Sequence, residues 1–435
     1  MIRTATTVLG IALLVAGCSG EPPAENDTQT VPAGAGVTAF VGARLIDGTG
    51  ATPIDDAVLL IRDGRVQAVG PAAGVAVPEG AETVDVTGRT IFPGLINAHG
   101  HVGDTAGLQA GHYSEQNVLD HLALYARYGI TTVNSLGGDE GAVAATVRDA
   151  ESAPDLARAR LMFAGPVVNG ATPEEVTARV DEIAATNPDF IKIRVDDNLG
   201  TSRKMPPEVY GAVIEAAHRH GLPLAAHFFY LEDAKGLLNA GADFVAHSVR
   251  DQPVDDELIG LLRQHDVCYC PTLTREVSTF VYESRPDFFD DPFFIAEADL
   301  AVVAALEDPE RQARYRGPAP TAYKAALEMA LRNLKALADN GVTIAMGTDS
   351  GPPARFLGYF EHLELELMAE AGLTPLQILT AATGDAARCL QRDDIGTLQP
   401  GRAADFVVVT GNPLADITAT RTIESVWIAS NRVPR

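Results

Sequence analysis

Short apolar runs alternate with helix-like segments from residue 90 onward, and this alternation is the main pattern of the chain. The strand-length runs are 91–102, 131–136, 161–168, 190–195, 222–228, 244–249, 267–273 and 342–347. Between them, apolar residues recur every three or four positions, as on one face of a helix. Eight strand–helix units in series predict an α/β fold, a (β/α)8 TIM barrel. A doubly wound sheet is the alternative, but the glycine-rich first turn that such sheets often carry is missing.

The segments on either side of the predicted barrel, residues 91–390, follow a different pattern. Residues 37–90 and 391–435 contain strand-like runs separated by turn residues, and each is small for an independent core. We therefore predict a small β-sandwich domain built from both chain ends. Within the barrel, residues 274–325 are too long for an ordinary loop and contain several aromatic residues. They predict a partly helical insertion over the barrel mouth.

The first residues are typical of a secretion signal. Residues 1–17 contain a basic residue followed by an apolar stretch that is too short to span a bilayer. The small residues before Cys18 resemble the lipobox of bacterial lipoproteins, in which the cysteine is lipidated; an ordinary cleaved signal with a chance cysteine is the alternative. Residues 18–36 are polar and rich in proline and glycine, as in a flexible tether. A lipidated Cys18 would anchor the protein in the bacterial cell envelope. Because Ser19 follows Cys18, where an aspartate would suggest retention at the inner membrane, we expect the anchor at the outer membrane, facing the periplasm.

Composition and charge narrow the class of partner. A hydrophobic content of 46% indicates a globular protein with a sizeable core, and a formal net charge of -25 argues against nucleic acid and anionic membrane surfaces. We therefore expect a small-molecule substrate and membrane contact only through the N-terminal lipid, while a homo-oligomer stays open. The cysteines other than Cys18 are odd in number and imply no disulfide framework. Cys268 and Cys270 are expected to line the core.

Titratable residues stand at the ends of the predicted barrel strands. They are His99, His101, Lys192, His227, His247 and Asp349. His99 and His101 lie one residue apart and point the same way from a strand, close enough to hold one metal ion, although this motif alone is common. Each residue taken singly could be structural, as a core histidine, an ion-paired lysine or a helix cap. Because the carboxyl ends of barrel strands meet at one mouth, we expect four imidazoles, one amine and one carboxylate to face one cavity, and this joint occurrence is hard to obtain by chance.

These residues lie in stretches that resemble the amidohydrolase superfamily, in its binuclear type and its imidazolonepropionase-related branch. The stretches are 93–101, Lys192, His227, 242–248, 347–351, 396–398 and 400–405. The resemblance runs from residue 37 to the end and departs from the usual motif at Asn97 and Gly100, where members usually have aspartate and threonine.

The resemblance implies a specific set of ligands. His99, His101 and Asp349 would hold one divalent metal ion, His227 and His247 would hold a second, and Lys192 would bridge both as a carbamate formed with CO2. These ligands suit Zn²⁺, although Mn²⁺, Fe²⁺, Co²⁺ or Ni²⁺ also fit. The implied reaction is hydrolysis of an amide-type C–N bond by a metal-bridging hydroxide, with Asp349 passing the proton to the leaving group.

Substrate recognition rests on four residues just beyond strand ends, namely Arg194, Tyr230, Arg250 and Arg275. Their arginines could pair with a substrate carboxylate, although each residue could also be an ordinary loop residue. We therefore expect a dipeptide or an N-acyl amino acid as substrate. The alternatives are a cyclic amide such as an imidazolone or lactam, a lactone, or a lipoprotein that binds metal or solute without catalysis.

Overall fold

The computed structural model describes residues 34–435. The predicted signal peptide, Cys18 and the tether up to residue 33 lie outside the described residues. None of the helices in the described part combines the length and the apolar content that a membrane span requires.

Strands from both ends of the chain pair in one eight-stranded sheet, ordered β15-β14-β13-β5-β1-β2-β3 with β4 beside β1. The strands are β1 (Val37–Leu45), β2 (Ile54–Arg62), β3 (Arg65–Pro71), β4 (Glu82–Asp85), β5 (Thr90–Pro93), β13 (Phe406–Val409), β14 (Ile423–Ile428) and β15 (Asn431–Arg432). Asp63 and Gly64 both have positive φ and close the β2–β3 hairpin. Where two packed sheets of a sandwich were expected, hydrogen bonding joins all the strands into one sheet.

The pairing of β5 with β13 is antiparallel and connects the two chain ends directly, with Ile91 opposite Val408. Aromatic side chains from the two chain ends also pack against one another. The ring of Phe40 lies 5.0 Å from that of Phe406 and 5.1 Å from that of Trp427, measured between centroids. A residue of the N-terminal part thus packs against two residues of the C-terminal part.

Seven of the predicted barrel segments form parallel strands in chain order. One sheet contains β6 (Leu95–Gly100), β7 (Ile130–Ser135) and β8 (Arg160–Phe163), and the other contains β9 (Ile191–Val195), β10 (Leu224–Phe228), β11 (Phe244–Ala246) and β12 (Cys268–Cys270). An isolated bridge joins Val168, in the segment after β8, to Ile193 of β9. The arrangement is TIM-barrel-like.

The eighth predicted strand, residues 342–347, is not a regular strand. It forms an isolated bridge from Ile344 to Tyr269 of β12, and the carbonyl of its Met346 accepts a hydrogen bond from Ala98 of β6. The Met346 N–H donates to the carbonyl of Ala381 in a following helix. The backbone hydrogen bonds of this segment are therefore divided between β12, β6 and that helix, and no regular ladder forms. The segment nevertheless lies between β12 and β6.

Helices follow the strands as the periodicity predicts. The first are α1 (Glu115–Arg127), α2 (Gly141–Asp149), α3 (Pro173–Ala184), α4 (Pro207–Arg219), α5 (Leu231–Ala240) and α6 (Asp256–Gln264). The side chains of Ser114, Thr172 and Asp255 accept hydrogen bonds from backbone N–H groups in the first turns of α1, α3 and α6. Local capping thus sets where several of these helices begin.

The long connection after β12 is largely helical. It contains α7 (Leu273–Val277), α8 (Pro292–Ile295), α9 (Leu300–Leu306) and α10 (Pro309–Ala313), and it leads into α11 (Pro318–Asp339). The last helices are α12 (Tyr359–Glu370), α13 (Pro375–Ala381) and α14 (Gly384–Cys389). Phe294 of α8 packs against Phe356 and Tyr359, with ring centroids 4.8 and 5.1 Å away. Aromatic packing therefore attaches the insertion to the start of α12.

Cys268 in β12 and Cys389 in α14 form a disulfide, with Cα atoms 5.8 Å apart. The expectation that no disulfide forms is wrong for this pair. The two cysteines are separated by 121 residues, and only the fold brings them together. Cys270 is buried with a free thiol, as its position in an apolar run predicts.

Candidate metal centre and active site

Strand β6 brings two histidines to the same end of the barrel. His99 is buried near the end of the strand, and His101 follows it, with ring centroids 5.6 Å apart. His101 Nδ1 lies 2.8 Å from the carbonyl oxygen of Gly137, to which it donates a hydrogen bond. Because a carbonyl oxygen only accepts, this bond orients the ring and turns Nε2 toward Asp349.

Asp349 faces both histidines from the turn after residues 342–347. Its φ of 58° is unusual for a residue with a side chain and marks a strained turn. Its Oδ1 lies 2.8 Å from His101 Nε2 and 3.7 Å from His99 Nε2. The ligand atoms of the three residues all lie within 4.8 Å of one another, which is compatible with one metal ion.

The other oxygen of Asp349 is held by a cation. Its Oδ2 accepts a hydrogen bond of 2.5 Å from Arg355 Nη1. Burial alone would raise the pKa of Asp349, but the Arg355 guanidinium and the hydrogen bond with His101 outweigh it and hold that pKa well below its usual range. The carboxyl group is therefore ionised, which is the form that binds metal.

Lys192 of β9 is buried beside the histidines. Its Nζ lies 3.3 Å from His99 Nε2. Burial lowers the pKa of Lys192 to about 8, although the nearby Asp349 opposes this shift. A considerable fraction of this amine is therefore neutral near pH 8.

His227 of β10 and His247 after β11 complete the cluster. Their ring centroids are 4.2 Å apart, and the ring of His247 is 4.7 Å from that of His99. His227 Nε2 donates to Asp196 Oδ2 at 2.8 Å, and His247 Nδ1 lies 2.6 Å from Thr272 Oγ1. Each ring therefore keeps one nitrogen for another partner.

The donor set fits divalent metal ions. Burial lowers the pKa of His227 to about 3 and holds the pKa values of His99 and His247 well below their usual range, so these rings are neutral. Neutral imidazoles and an ionised carboxylate are the forms that coordinate metal. The buried His99 Nδ1 has no hydrogen-bond partner within residues 34–435. The structure thus brings together the six residues that the sequence names as candidate ligands, and His99, His101 and Asp349 among them lie close enough to hold one metal ion.

Three supporting residues were missed from the sequence. Asp196 orients His227, Thr272 contacts His247, and Arg355 holds Asp349. Asp196 directly follows β9, so its strand-end position was a usable signal. Thr272 and Arg355 lie in loops, and their sequence neighbourhoods carry no comparable signal.

Two of the predicted substrate residues share a buried carboxylate. Arg250 Nε lies 3.1 Å from Glu276 Oε1, and Arg275 Nη1 lies 3.1 Å from Glu276 Oε2. All three side chains are buried. The two guanidinium groups carry one more charge than the carboxylate balances, and Arg250 Nη2 has no hydrogen-bond partner in the described part of the chain. Burial is the main cause of the low pKa of His227, and the charges of Arg250 and Arg275 lower it further. Both arginines therefore lie within electrostatic reach of the cluster.

The other two predicted substrate residues contact the loop after β9. Arg194 is 42% exposed at its side chain and lies 3.4 Å from Asp196 Oδ2. The Tyr230 hydroxyl donates to Asp197 Oδ1 at 2.8 Å, and Lys204 lies 3.7 Å from the centre of its ring. These contacts are typical of loop residues, and they do not join the buried guanidinium groups.

Comparison with known proteins shows which family this chain matches. A family model described as "Amidohydrolase family" matches residues 90–433. An imidazolonepropionase from Deinococcus radiodurans is 27% identical over 393 residues, covering 84% of this chain and 88% of that protein. A putative prolidase from Bifidobacterium longum superposes with a TM-score of 0.74 at 25% identity, covering 92% of this chain and 95% of that one. A Xaa-Pro dipeptidase with bound methionine in its active site also gives a TM-score of 0.74, at 22% identity, covering 92% of this chain and 100% of that one, and supports the fold.

Proposed function

This chain belongs to the amidohydrolase family and is a hydrolase acting on C–N bonds, and from that premise we propose that it cleaves a dipeptide or an N-acyl amino acid. The resemblance noted in the sequence is thereby confirmed at the level of the family. We also propose that the eight barrel segments close into a complete (β/α)8 barrel. The bridges from residues 342–350 to β12 and β6 support that closure.

The observation that carries the substrate class is the buried group of Arg250, Glu276 and Arg275. A buried charge without a partner is costly, and within this group two guanidinium charges face one carboxylate, although Asp196 and Asp349 also attract Arg250 and Arg275. A substrate carboxylate would add negative charge here. It could accept a hydrogen bond from Arg275, whose side chain is 9% exposed, with the fully buried Arg250 adding its charge behind it. Dipeptides and N-acyl amino acids both carry such a carboxylate next to the bond to be cleaved.

The geometry of the cluster supports an assignment of the residues that would hold metal. We propose that His99, His101 and Asp349 hold one divalent ion, preferably Zn²⁺, that His227 and His247 hold a second, and that Lys192 bridges them as a carbamate. The pKa of about 8 for Lys192 supports the carbamate, because only a neutral amine adds CO2. Bound divalent ions supply Lewis acidity, which polarises a carbonyl group and acidifies water.

The chain's own residues would supply binding and proton transfer. The guanidinium groups of Arg250 and Arg275 would hold the carboxylate and so orient the scissile bond toward the histidines. Asp349 is ionised and partly held by Arg355, so it can accept a proton from the attacking water and deliver it to the leaving nitrogen.

A second candidate is hydrolysis of a cyclic amide. The similarity to imidazolonepropionases over most of the chain favours it, and a cyclic substrate with a carboxylate side chain would also match the buried arginines. A lactone hydrolase, or a protein that binds metal or solute without turnover, would not require a carboxylate.

The test compares matched substrates. Purified protein from residue 19 onward would be analysed for metal content and given N-acetyl amino acids, their C-terminal amides, dipeptides, lactams and lactones. We expect about two metal ions per chain and a preference of about 100-fold for free carboxylates over amides, from the loss of a charge-assisted pair. Arg275→Ala should remove this preference, whereas Arg263→Ala, at an exposed position on α6, should retain it. Equal turnover of acids and amides would reject the proposed substrate class.

Location is a separate proposal. We propose that Cys18 is lipidated and that the enzyme is anchored in the bacterial envelope. The Cys268–Cys389 disulfide supports an oxidising compartment such as the periplasm. Cys18→Ser should release the protein from the membrane fraction, and a variant that stays bound there would contradict the lipid anchor.

A further inference from the structure

Helix α12 carries two buried carboxylates one turn apart, Glu361 and Glu364. Residues three positions apart lie on the same face of a helix. Burying a carboxylate is costly unless other groups compensate it. The hydrogen-bond partners of these two side chains therefore indicate which segments the helix holds in place.

Glu361 joins the histidine strand to the turn that carries Asp349. Its Oε1 accepts hydrogen bonds from Asn97 Nδ2 at 2.7 Å, Thr348 Oγ1 at 2.7 Å and Ser350 Oγ at 2.5 Å. Thr348 and Ser350 are the residues on either side of Asp349. One oxygen atom thus fixes the turn from both sides.

Asn97 connects Glu361 to the backbone of His99. Its Nδ2 donates to Glu361, while its Oδ1 accepts a hydrogen bond of 3.0 Å from the backbone N–H of His99. The same amide donates to Thr348 Oγ1 at 2.9 Å. The spacing between the histidines of β6 and Asp349 is therefore set through Glu361.

Glu364 holds a different part of the site. Its Oε1 accepts from the backbone N–H of Leu273 at 2.7 Å, and its Oε2 accepts from the backbone N–H of Thr274 and from Thr274 Oγ1, both at 2.8 Å. These residues begin α7 and directly precede Arg275 and Glu276. Glu364 therefore fixes the segment that carries part of the buried guanidinium group.

We propose that α12 positions the two halves of the active site relative to each other, Glu361 by holding the metal ligands and Glu364 by holding the residues that bind the substrate carboxylate. The second half rests on the proposed function. Neither carboxylate contacts the substrate, and both act through the residues they hold. Because the two side chains share one rigid helix, the distance between the metal centre and the carboxylate site is fixed.

The first test addresses Glu361 by metal retention. Replacing a group that orients metal ligands commonly costs about 10- to 100-fold in metal affinity, so Glu361→Met, which removes the accepting oxygen, should lose metal to a chelator at least about tenfold faster than wild type. It should also alter the absorption spectrum of the cobalt-substituted protein. Glu361→Gln keeps one accepting oxygen for Asn97, Thr348 and Ser350, and we expect it to lose metal at close to the wild-type rate. Metal loss at the wild-type rate in Glu361→Met would overturn this half.

The second test addresses Glu364 by substrate affinity. Glutamine would place an NH2 group against one of the backbone N–H groups that now donate to this carboxylate. Glu364→Gln should therefore raise KM for the N-acyl amino acid about tenfold, with metal loss and kcat near wild type. Thr274→Val removes one of these donors, together with the hydrogen bond from Thr274 Oγ1 to the carbonyl of Thr348, and should give a smaller rise in KM. Unchanged KM in both variants, or faster metal loss in Glu364→Gln, would overturn this half.

Controls separate positioning from stability. Glu370→Gln changes an exposed carboxylate of the same helix and should leave metal loss and KM unchanged. Thermal unfolding of each variant shows whether the helix remains folded. If Glu361→Met and Glu364→Gln only lower the melting temperature and change metal loss and KM in parallel, α12 is a structural helix and the proposal fails. If wild type hydrolyses no member of the panel, the proposed function fails, but the metal-loss assay still tests Glu361, and stabilisation by free amino acid tests Glu364.

Discussion

Arg355 Nη1 lies 2.5 Å from Asp349 Oδ2, while His101 Nε2 lies 2.8 Å from the other oxygen of the same carboxylate. Arg355 Nε also donates to Ser278 Oγ, which directly follows α7. One guanidinium group therefore connects the proposed proton carrier to the segment that includes Arg275. The position of this carboxylate depends on the insertion as well as on the barrel.

Replacing Arg355 by methionine should impair proton transfer. The guanidinium lowers the pKa of Asp349, so its removal should raise that pKa and move the acidic limb of the kcat/KM profile to higher pH. We expect kcat to fall by at least about tenfold, within the range that positioned proton transfer contributes. Arg263→Met is the matched control. An unshifted acidic limb would show that Asp349 is oriented without Arg355.

Asp349→Asn and Lys192→Ala should each abolish measurable turnover while the protein remains folded. Asparagine cannot accept the proton, and alanine cannot bridge two metal ions. Circular dichroism would report the fold, and elemental analysis should find less metal in Lys192→Ala than in wild type. Near-normal turnover by purified Lys192→Ala would reject the bridging role.

His362 should make stability dependent on pH. It is buried, its Nε2 donates to the carbonyl of Tyr128 at 2.8 Å, and burial lowers its pKa to about 3. The unfolded chain, with a histidine pKa of about 6.5, therefore binds a proton that the folded chain does not. Stability should fall as pH drops below about 6.5, with a slope of up to about 1.4 kcal/mol per pH unit from this residue. Urea unfolding of metal-free wild type and His362→Gln should differ in that slope, and parallel curves would contradict the assignment.

Breaking the disulfide should destabilise the fold without directly altering the metal ligands. A closed loop of 121 residues restricts the unfolded chain, and the chain-entropy relation predicts a contribution of about 5 kcal/mol. Cys268→Ser and Cys389→Ser should lower the free energy of unfolding by similar amounts, and reductant should lower that of wild type alone. A response of the serine variants to reductant would point to a different thiol.

The sequence predicts most of the fold because its strands are continuous apolar runs that the parallel arrangement buries. Residues 342–347 show the limit of this reasoning. The segment has a strand's composition, but the Met346 N–H donates to a helix carbonyl, which no local pattern reveals. Cys268 and Cys389 escape prediction for the same reason, since their proximity is a property of the tertiary structure.

The candidate site likewise contains residues that the sequence reveals and residues that only the tertiary structure reveals. His99, His101, Lys192, His227, His247 and Asp349 stand at strand ends and are recognisable by position. Most of the residues that orient them are not, because Asn97, Glu361 and Arg355 act through hydrogen bonds between segments that are distant in the chain. Arg194 and Tyr230 also stand beyond strand ends, and they contact the loop after β9. Their role in substrate binding stays a prediction.

The pairing of β5 with β13 has a consequence for biosynthesis. Thr90–Pro93 obtains its antiparallel partner only from Phe406–Val409, which the ribosome adds near the end of synthesis. Until then β5 presents an unpaired edge, which is the kind of surface that associates with other chains. A nascent chain therefore cannot complete this sheet during translation, and a nonsense mutation shortly before residue 406 would leave the edge permanently open to aggregation.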